Sequence, residues 1–201
     1  MNISDNARIH LGTPRDNILV CPMMILAGGI TMSYAIAEAL LKSRGVTIED
    51  IAEIVYKLQI VYHPQLTVEE CLLSVRSVLN KREVQYTLYT GIALDQLAER
   101  KLLPQPLQSI MEADEPLYGV DETLALGIIN VYGMIGLTSF GYLDKEKVGI
   151  IDRLNSKKDE IHVFLDDLVA GLAAAASARI AHRYEGANLY LLSEDVETDL
   201  N

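Results

Sequence analysis

Apolar residues recur at helical spacing along most of this chain, and the pattern changes character toward the C-terminus. After Gly45, Thr47 stands in front of Glu49 and Asp50, and Ile51, Ile54, Val55 and Leu58 follow as one face of a helix with an N-cap ahead of it. His63-Pro64 closes that helix. Thr67 with Glu69 and Glu70 repeats the start signal for a second, whose apolar face is Cys71, Leu72, Val75, Val78 and Leu79. A third is predicted over Lys81 to Lys101 on Val84, Leu88, Ile92, Leu94 and Leu97, with Gly91 expected to loosen it. Pro104 and Pro106 then punctuate the chain before a short helix on Leu107, Ile110 and Met111. Glu83, Asp95 and Glu99 read as solvated charges on these elements. Val/Thr-rich alternating runs are nearly absent, so the fold class expected is all-α.

Further along, the polar face disappears. Thr123 to Gly133 is apolar nearly all round, which predicts a buried helix. Ile161 to Arg183 holds an Ala/Gly run broken only by Gly171, and side chains this small let neighbouring helices approach from more than one side. We read it as the central helix of one domain, surrounded by about five others. Each of these apolar segments carries an acidic pair near its start, Asp121-Glu122 and Asp166-Asp167. An Asp at a helix start is a good N-cap, so either pair alone admits a purely structural reading. Yet an ionised carboxylate in apolar surroundings costs several kcal/mol unless donors, cations or a metal offset it. Two such pairs can be reconciled together by sharing Mg²⁺, which takes carboxylate and water oxygens. Between them, Asp144 and Lys147 lie three residues apart after an apolar patch. Standing alone they are an ordinary surface pair; beside metal-binding acids the lysine becomes a point charge for a phosphate.

Composition narrows the choice. With 201 residues, half of them apolar and none of them Trp, the chain can bury one sizeable core. A net charge of -11 and the lack of Lys/Arg stripes exclude nucleic acid as a partner, while an acidic balance suits divalent cations. Cys21 and Cys71 form neither a metal-type spacing nor a disulfide framework, so a cytoplasmic setting is expected. Residues 17–37 are uncharged and roughly as long as the ~20 residues a membrane span needs. Pro22, Gly28 and Gly29 interrupt them, and both a span and a buried segment stay open, as does a peripheral membrane contact. The chain divides into an apolar extension and first helix (1–43), a helical domain (44–183) and an acidic tail (184–201). The Ala-rich surface of residues 170–181 suggests a homo-oligomer.

Taken in order, Val-Asp-Glu at 120–122 with Asp114 ahead of it, Leu-Asp-x-x-Lys at 143–147 and Leu-Asp-Asp-Leu-Val-Ala-Gly at 165–171 resemble the three acidic motifs of the phosphatidylglycerophosphatase A family. The soluble Gram-positive branch is the nearer match. It shares Gly-Val-Thr-Ile-Glu-Asp-Ile-Ala-Glu from Gly45, Lys-Arg-Glu-Val-Gln at 81–85 and the Ala-rich end at 173–183. The resemblance implies a Mg²⁺-dependent phosphomonoesterase that converts phosphatidylglycerophosphate to phosphatidylglycerol. Carried onto this chain, it makes Asp114, Asp121, Glu122, Asp166 and Asp167 the metal-binding set and Asp144, Lys147 and Asp167 the catalytic one. The integral-membrane members differ, with an Arg where Gly141 stands, a Pro where Val148 stands and a Gly near His162. Losing the Arg removes a bidentate phosphate clamp. The motifs contain no Cys and no Ser–His pair, so a metal-activated water is the natural nucleophile. His162 is a further candidate for proton transfer to the leaving oxygen, its alternative being a partly exposed histidine at a helix start. Two other functions stay open: a soluble phosphatase acting on a small metabolite, and a non-catalytic metal-binding oligomer.

Overall fold

Two capping boxes set the frame of the domain. The side chains of Thr47 and Thr67 accept the amides of Asp50 and Glu70, whose carboxylates reach back to the threonine amides, and α2 (Ile48–Gln59) and α3 (Val68–Leu79) start there. The computed structural model describes residues 34–156 and 160–198, and no strand occurs among the described residues. Ahead of these two helices lies α1 (Tyr34–Ser43). Behind them come α4 (Arg82–Glu99), α5 (Leu107–Ala113), α6 (Val120–Ile129), a single 3₁₀ turn (Asn130–Tyr132), α7 (Gly133–Glu146), α8 (Ile150–Ser156) and α9 (Leu165–Thr198). The fold is all-α, as the periodicity predicts.

The Ala-rich segment is the axis of the domain. Ala170, Leu172, Ala173 to Ala176, Ser177 and Ala178 are all fully buried, and α2, α3, α4, α6, α7 and α8 pack against α9. A helix with no polar face is stable only when covered on every side. Ser74 of α3 reinforces the contact by donating to the main-chain oxygen of Ala176, 2.9 Å away. The Ala-rich face is therefore covered by the chain's own helices.

Two expectations fail. Gly91 does not loosen α4, which runs unbroken through it; a Cβ there would lie 2.5 Å from Leu168 Cδ1 and 3.0 Å from Phe164 Cβ, so the glycine lets α4 press onto α9. Nor is the segment 123–133 wholly buried: Ala125, Ile128, Ile129 and Tyr132 face the core, but Val131 is exposed, as are Val120 before this segment and Met134 and Leu137 after it. Val120–Glu146 is long and apolar enough to cross a membrane by length and composition, with a third of its most apolar window buried. The candidate span at 17–37 lies largely outside the described residues, as does Cys21.

Candidate functional site

The acidic pairs converge because their helices meet one turn away from them. A Cβ on Gly171 would stand 3.3 Å from the main-chain oxygen of Ala125, so α6 and α9 touch backbone to backbone. Ala125 follows Asp121 by four residues and Gly171 follows Asp167 by four, so the two first turns are held side by side. Both pairs sit in the first turns of their helices, where the positive end of the helix dipole favours negative charge. The N-cap position of α6 is held by Gly119, so the Asp121–Glu122 pair stands just inside the helix rather than capping it.

A cavity of about 200 Å³ opens over this junction, and Asp114, Asp121, Glu122, Asp144, Lys147, Asp166 and Asp167 all line it. Every motif acid is brought together with the motif lysine. Within the group there is a division of labour. One oxygen each from Asp121, Glu122 and Asp167 lie within 4.8 Å of one another. Asp121 Oδ1 and Glu122 Oε2 are buried and have no hydrogen-bond partner. Bare carboxylate oxygens at that spacing suit a hard divalent cation, which prefers oxygen donors and can keep water in its remaining positions. Burial, together with the neighbouring Glu122 carboxylate, pushes Asp121 up to about 7. Burial and the adjacent Asp166 push Asp167 up to about 8. A cation at this spot would reverse both shifts.

Asp166 belongs to the other half. Its Oδ2 accepts from Lys147 Nζ at 2.9 Å, and its Oδ1 accepts the Asp167 amide at 2.9 Å. Lys147 also donates to Asp144 Oδ1 at 2.8 Å and stands 3.7 Å from Asp167 Oδ1. Burial alone would lower the lysine's pKa, but Asp166 and Asp144 outweigh it and the net shift is upward, so the ammonium is a permanent charge. Burial raises Asp166 despite the lysine. The ammonium thus neutralises the Asp144–Asp166 side, and Asp121, Glu122 and Asp167 form the group whose oxygens could hold a cation. Asp114 ends α5 at the exposed mouth of the cavity.

Three of the four non-glycine residues with positive φ among those described, Asp114 (47°), Leu117 (68°) and Lys147 (47°), line this cavity. Left-handed backbone is uncommon for residues with a Cβ, and its concentration here marks a site whose loops are shaped for something other than stability. Tyr118 anchors the loop by packing edge-on against Phe164, with ring centroids 6.0 Å apart.

His162 is placed elsewhere, and neither sequence reading of it survives. It is buried: Arg44 Nη2 lies 3.2 Å from Nδ1, while Nε2 faces Glu160 at 3.1 Å. An arginine can only donate, so the proton sits on Nε2, and the ring serves the loop ahead of α9. Asp95 and Glu99, expected to be solvated, are also structural. Asp95 is completely buried, and Glu99 pairs with Arg44 and accepts the Ile161 amide at 2.9 Å. The missed signal was positional: Asp95 continues the stripe of Val84, Leu88 and Ile92, so an acid falls on an apolar face.

The model of the family Phosphatidylglycerophosphatase A matches residues 31–182. The uncharacterized protein YpjQ of Bacillus subtilis (strain 168) is 58% identical over 164 residues, covering 82% of this chain and 90% of that protein. The uncharacterized protein YutG of the same organism is 59% identical over 148 residues, 73% of this chain and 89% of its own length. The crystal structure of YpjQ superposes with a TM-score of 0.73 at 59% identity over 76% of this chain and 95% of that one. The low temperature requirement C protein of Listeria monocytogenes gives a TM-score of 0.74 at 54% identity, covering 76% of this chain and 96% of its own. By sequence and by fold, this chain belongs to the phosphatidylglycerophosphatase A family.

Proposed function

We propose that this chain is a Mg²⁺-dependent phosphomonoesterase that dephosphorylates phosphatidylglycerophosphate to phosphatidylglycerol. The observation that carries the reading is the bare oxygens of Asp121 and Glu122 beside Asp167, facing the fixed ammonium of Lys147 across one open cavity. Held by Asp121, Glu122 and Asp167, Mg²⁺ supplies positive charge to phosphoryl oxygens and lowers the pKa of water. The rest falls to the chain. Lys147, tethered by Asp144 and Asp166, offers a positive point charge to the substrate phosphate without reorganisation. Asp144, whose side chain is 38% exposed and which stands beside Lys147, takes the proton of the attacking water. Oxygen attacks phosphorus, the bond from phosphorus to the glycerol oxygen breaks, and the leaving oxygen is protonated from solvent at the cavity mouth.

The lipid assignment draws on the surroundings. Leu117, on the cavity wall, is completely exposed, and Val120, Val131, Met134 and Leu137 extend uncharged surface along α6 and α7. A cytoplasmic protein touching the membrane through this side could take a phosphorylated headgroup into the cavity while the acyl chains stay in the bilayer.

The test is phosphate release from phosphatidylglycerophosphate in mixed micelles and from glycerol phosphate in solution, each with Mg²⁺ and with EDTA. Mg²⁺-dependent release from the lipid, lost in Asp167→Asn at unchanged helix content, is the expected result. Release from the soluble ester alone would replace the lipid by a small metabolite. No release from either, with Mg²⁺ still raising the melting temperature, would leave a non-catalytic metal-binding protein.

A further inference from the structure

The first turn of α9 carries Asp166 and Asp167, and its local acceptors reach only those two amides: His162 O takes the Asp166 amide and Asp166 Oδ1 the Asp167 amide. The amides of Phe164 and Leu165, both buried, have no acceptor in the turn and need one from outside it. The cap comes from another helix. Asp95, near the end of α4, accepts the Phe164 amide on Oδ1 at 3.1 Å and the Leu165 amide on Oδ2 at 3.0 Å. Neither oxygen touches water, since Asp95 is 0% exposed. One turn further along α4, Glu99 accepts the Ile161 amide, and Arg44, paired with Glu99, donates to the Ile161 carbonyl at 2.9 Å. One turn earlier, Gly91 lets Leu168 and Phe164 close onto α4.

A local cap does not replace this arrangement. A Ser, Thr or Asp at position 164 would reach the amides two and three residues on, those of Asp166 and Asp167, and not the Phe164 and Leu165 amides that Asp95 holds. What a cap from α4 adds is a fixed position. It pins the two residues immediately before Asp166 and Asp167 to a rigid helix, which sets the rotation and height of that pair relative to Asp121 and Glu122.

We propose that Asp95 is a positioning residue: its carboxylate, clamped on the Phe164 and Leu165 amides, aims the Asp166–Asp167 pair at the ion and the phosphate. The inference rests on the metal-dependent reading above, and it extends that reading to a residue that touches neither ion nor substrate. Groups supporting a metal's ligands typically cost 10- to 100-fold in affinity when altered. Asp95→Asn keeps the shape but turns an NH₂ toward one of the two amides, so it should weaken Mg²⁺ binding on the order of 10-fold.

The experiment compares full-length wild type, Asp95→Asn and Val75→Ala, a core truncation in α3 that serves as the control for lost stability. Mg²⁺ affinity is measured by calorimetry, and amide hydrogen exchange is followed by mass spectrometry. The expected result is that Asp95→Asn weakens Mg²⁺ binding about tenfold and speeds exchange over residues 163–168, while Val75→Ala does neither. Asp95→Glu, whose longer arm displaces the same amides, takes its place if the Asn variant does not fold. Mg²⁺ affinity within twofold of wild type would overturn the proposal. Should wild type bind no Mg²⁺, the metal reading itself falls; exchange then decides alone, faster at 163–168 upholding the clamp and unchanged exchange removing it.

Discussion

Lys147→Met removes the ammonium paired with three acids while keeping most of the unbranched side chain, and its cost follows from the geometry. Nζ lies 2.8 Å from Asp144 Oδ1, 2.9 Å from Asp166 Oδ2 and 3.7 Å from Asp167 Oδ1, and the side chains of Asp166 and Asp167 are only 9% and 5% exposed. A charge pair near 3 Å interacts by about 5–6 kcal/mol at an effective dielectric of ~20, and removing one partner of a buried pair typically costs about 3–5 kcal/mol. The variant also recovers the desolvation of the lysine, and its carboxylates relieve repulsion by taking up protons. We therefore expect a loss of about 3 kcal/mol at pH 8.5, which for a chain of this length is roughly 6–12 °C in melting temperature. Because Asp167 is already raised to about 8 and loses its nearest cation, the variant's folded state binds still more protons than its unfolded state. Its deficit should shrink toward pH 5.5. Urea unfolding of both proteins in EDTA at the two pH values measures this. A variant as stable as wild type at pH 8.5, or a deficit that grows toward acid, would refute the assignment of Lys147 as the internal counter-ion.

Three other outcomes follow. Asp121 and Asp167 have folded pKa values near 7 and 8, above the unfolded carboxylate value, so their contribution is fully present below about pH 4 and is lost as pH rises through 7–8. Melting in EDTA should fall between pH 5 and 9, and the increment gained from Mg²⁺ should grow over the same range, since the ion binds the ionised form; an increment independent of pH would contradict the ligand set. Gly91→Ala should destabilise by about 1–2 kcal/mol, because about 1–3 kcal/mol of overpacking against Phe164 and Leu168 exceeds the helix-propensity gain of up to about 1 kcal/mol. Gly141→Ala, on the open side of α7 with nothing within 4 Å, should stabilise by about 0.5–1 kcal/mol; thermal unfolding of both separates close packing from propensity.

The expectations that hold are those written into neighbouring residues. Thr47 and Thr67 with their acids three positions on announce two helix starts, and a run of alanines with no polar face announces the axis. The two acidic pairs are visible because charge in an apolar stretch is locally anomalous. Expectations fail where the deciding partner is distant in sequence. Asp95 and Glu99 look like surface charges until the amides of Phe164, Leu165 and Ile161, more than sixty residues away, are set against them. His162 looks available for proton transfer until Arg44 and Glu160 enclose it. The exposed side of α6 and α7 looks buried, since hydropathy reports what a helix tolerates rather than what happens to cover it.

From sequence alone, then, this protein is a helical bundle about an alanine axis with acids at two helix starts, because capping, periodicity and the cost of stranded charge act over a few residues. Which acids cluster with bare oxygens and which pair with Lys147 was decided only by the tertiary structure. That choice turns on the backbone contact of Ala125 with Gly171 and on the left-handed turn at Lys147, which set distances of a few ångströms that no linear spacing encodes.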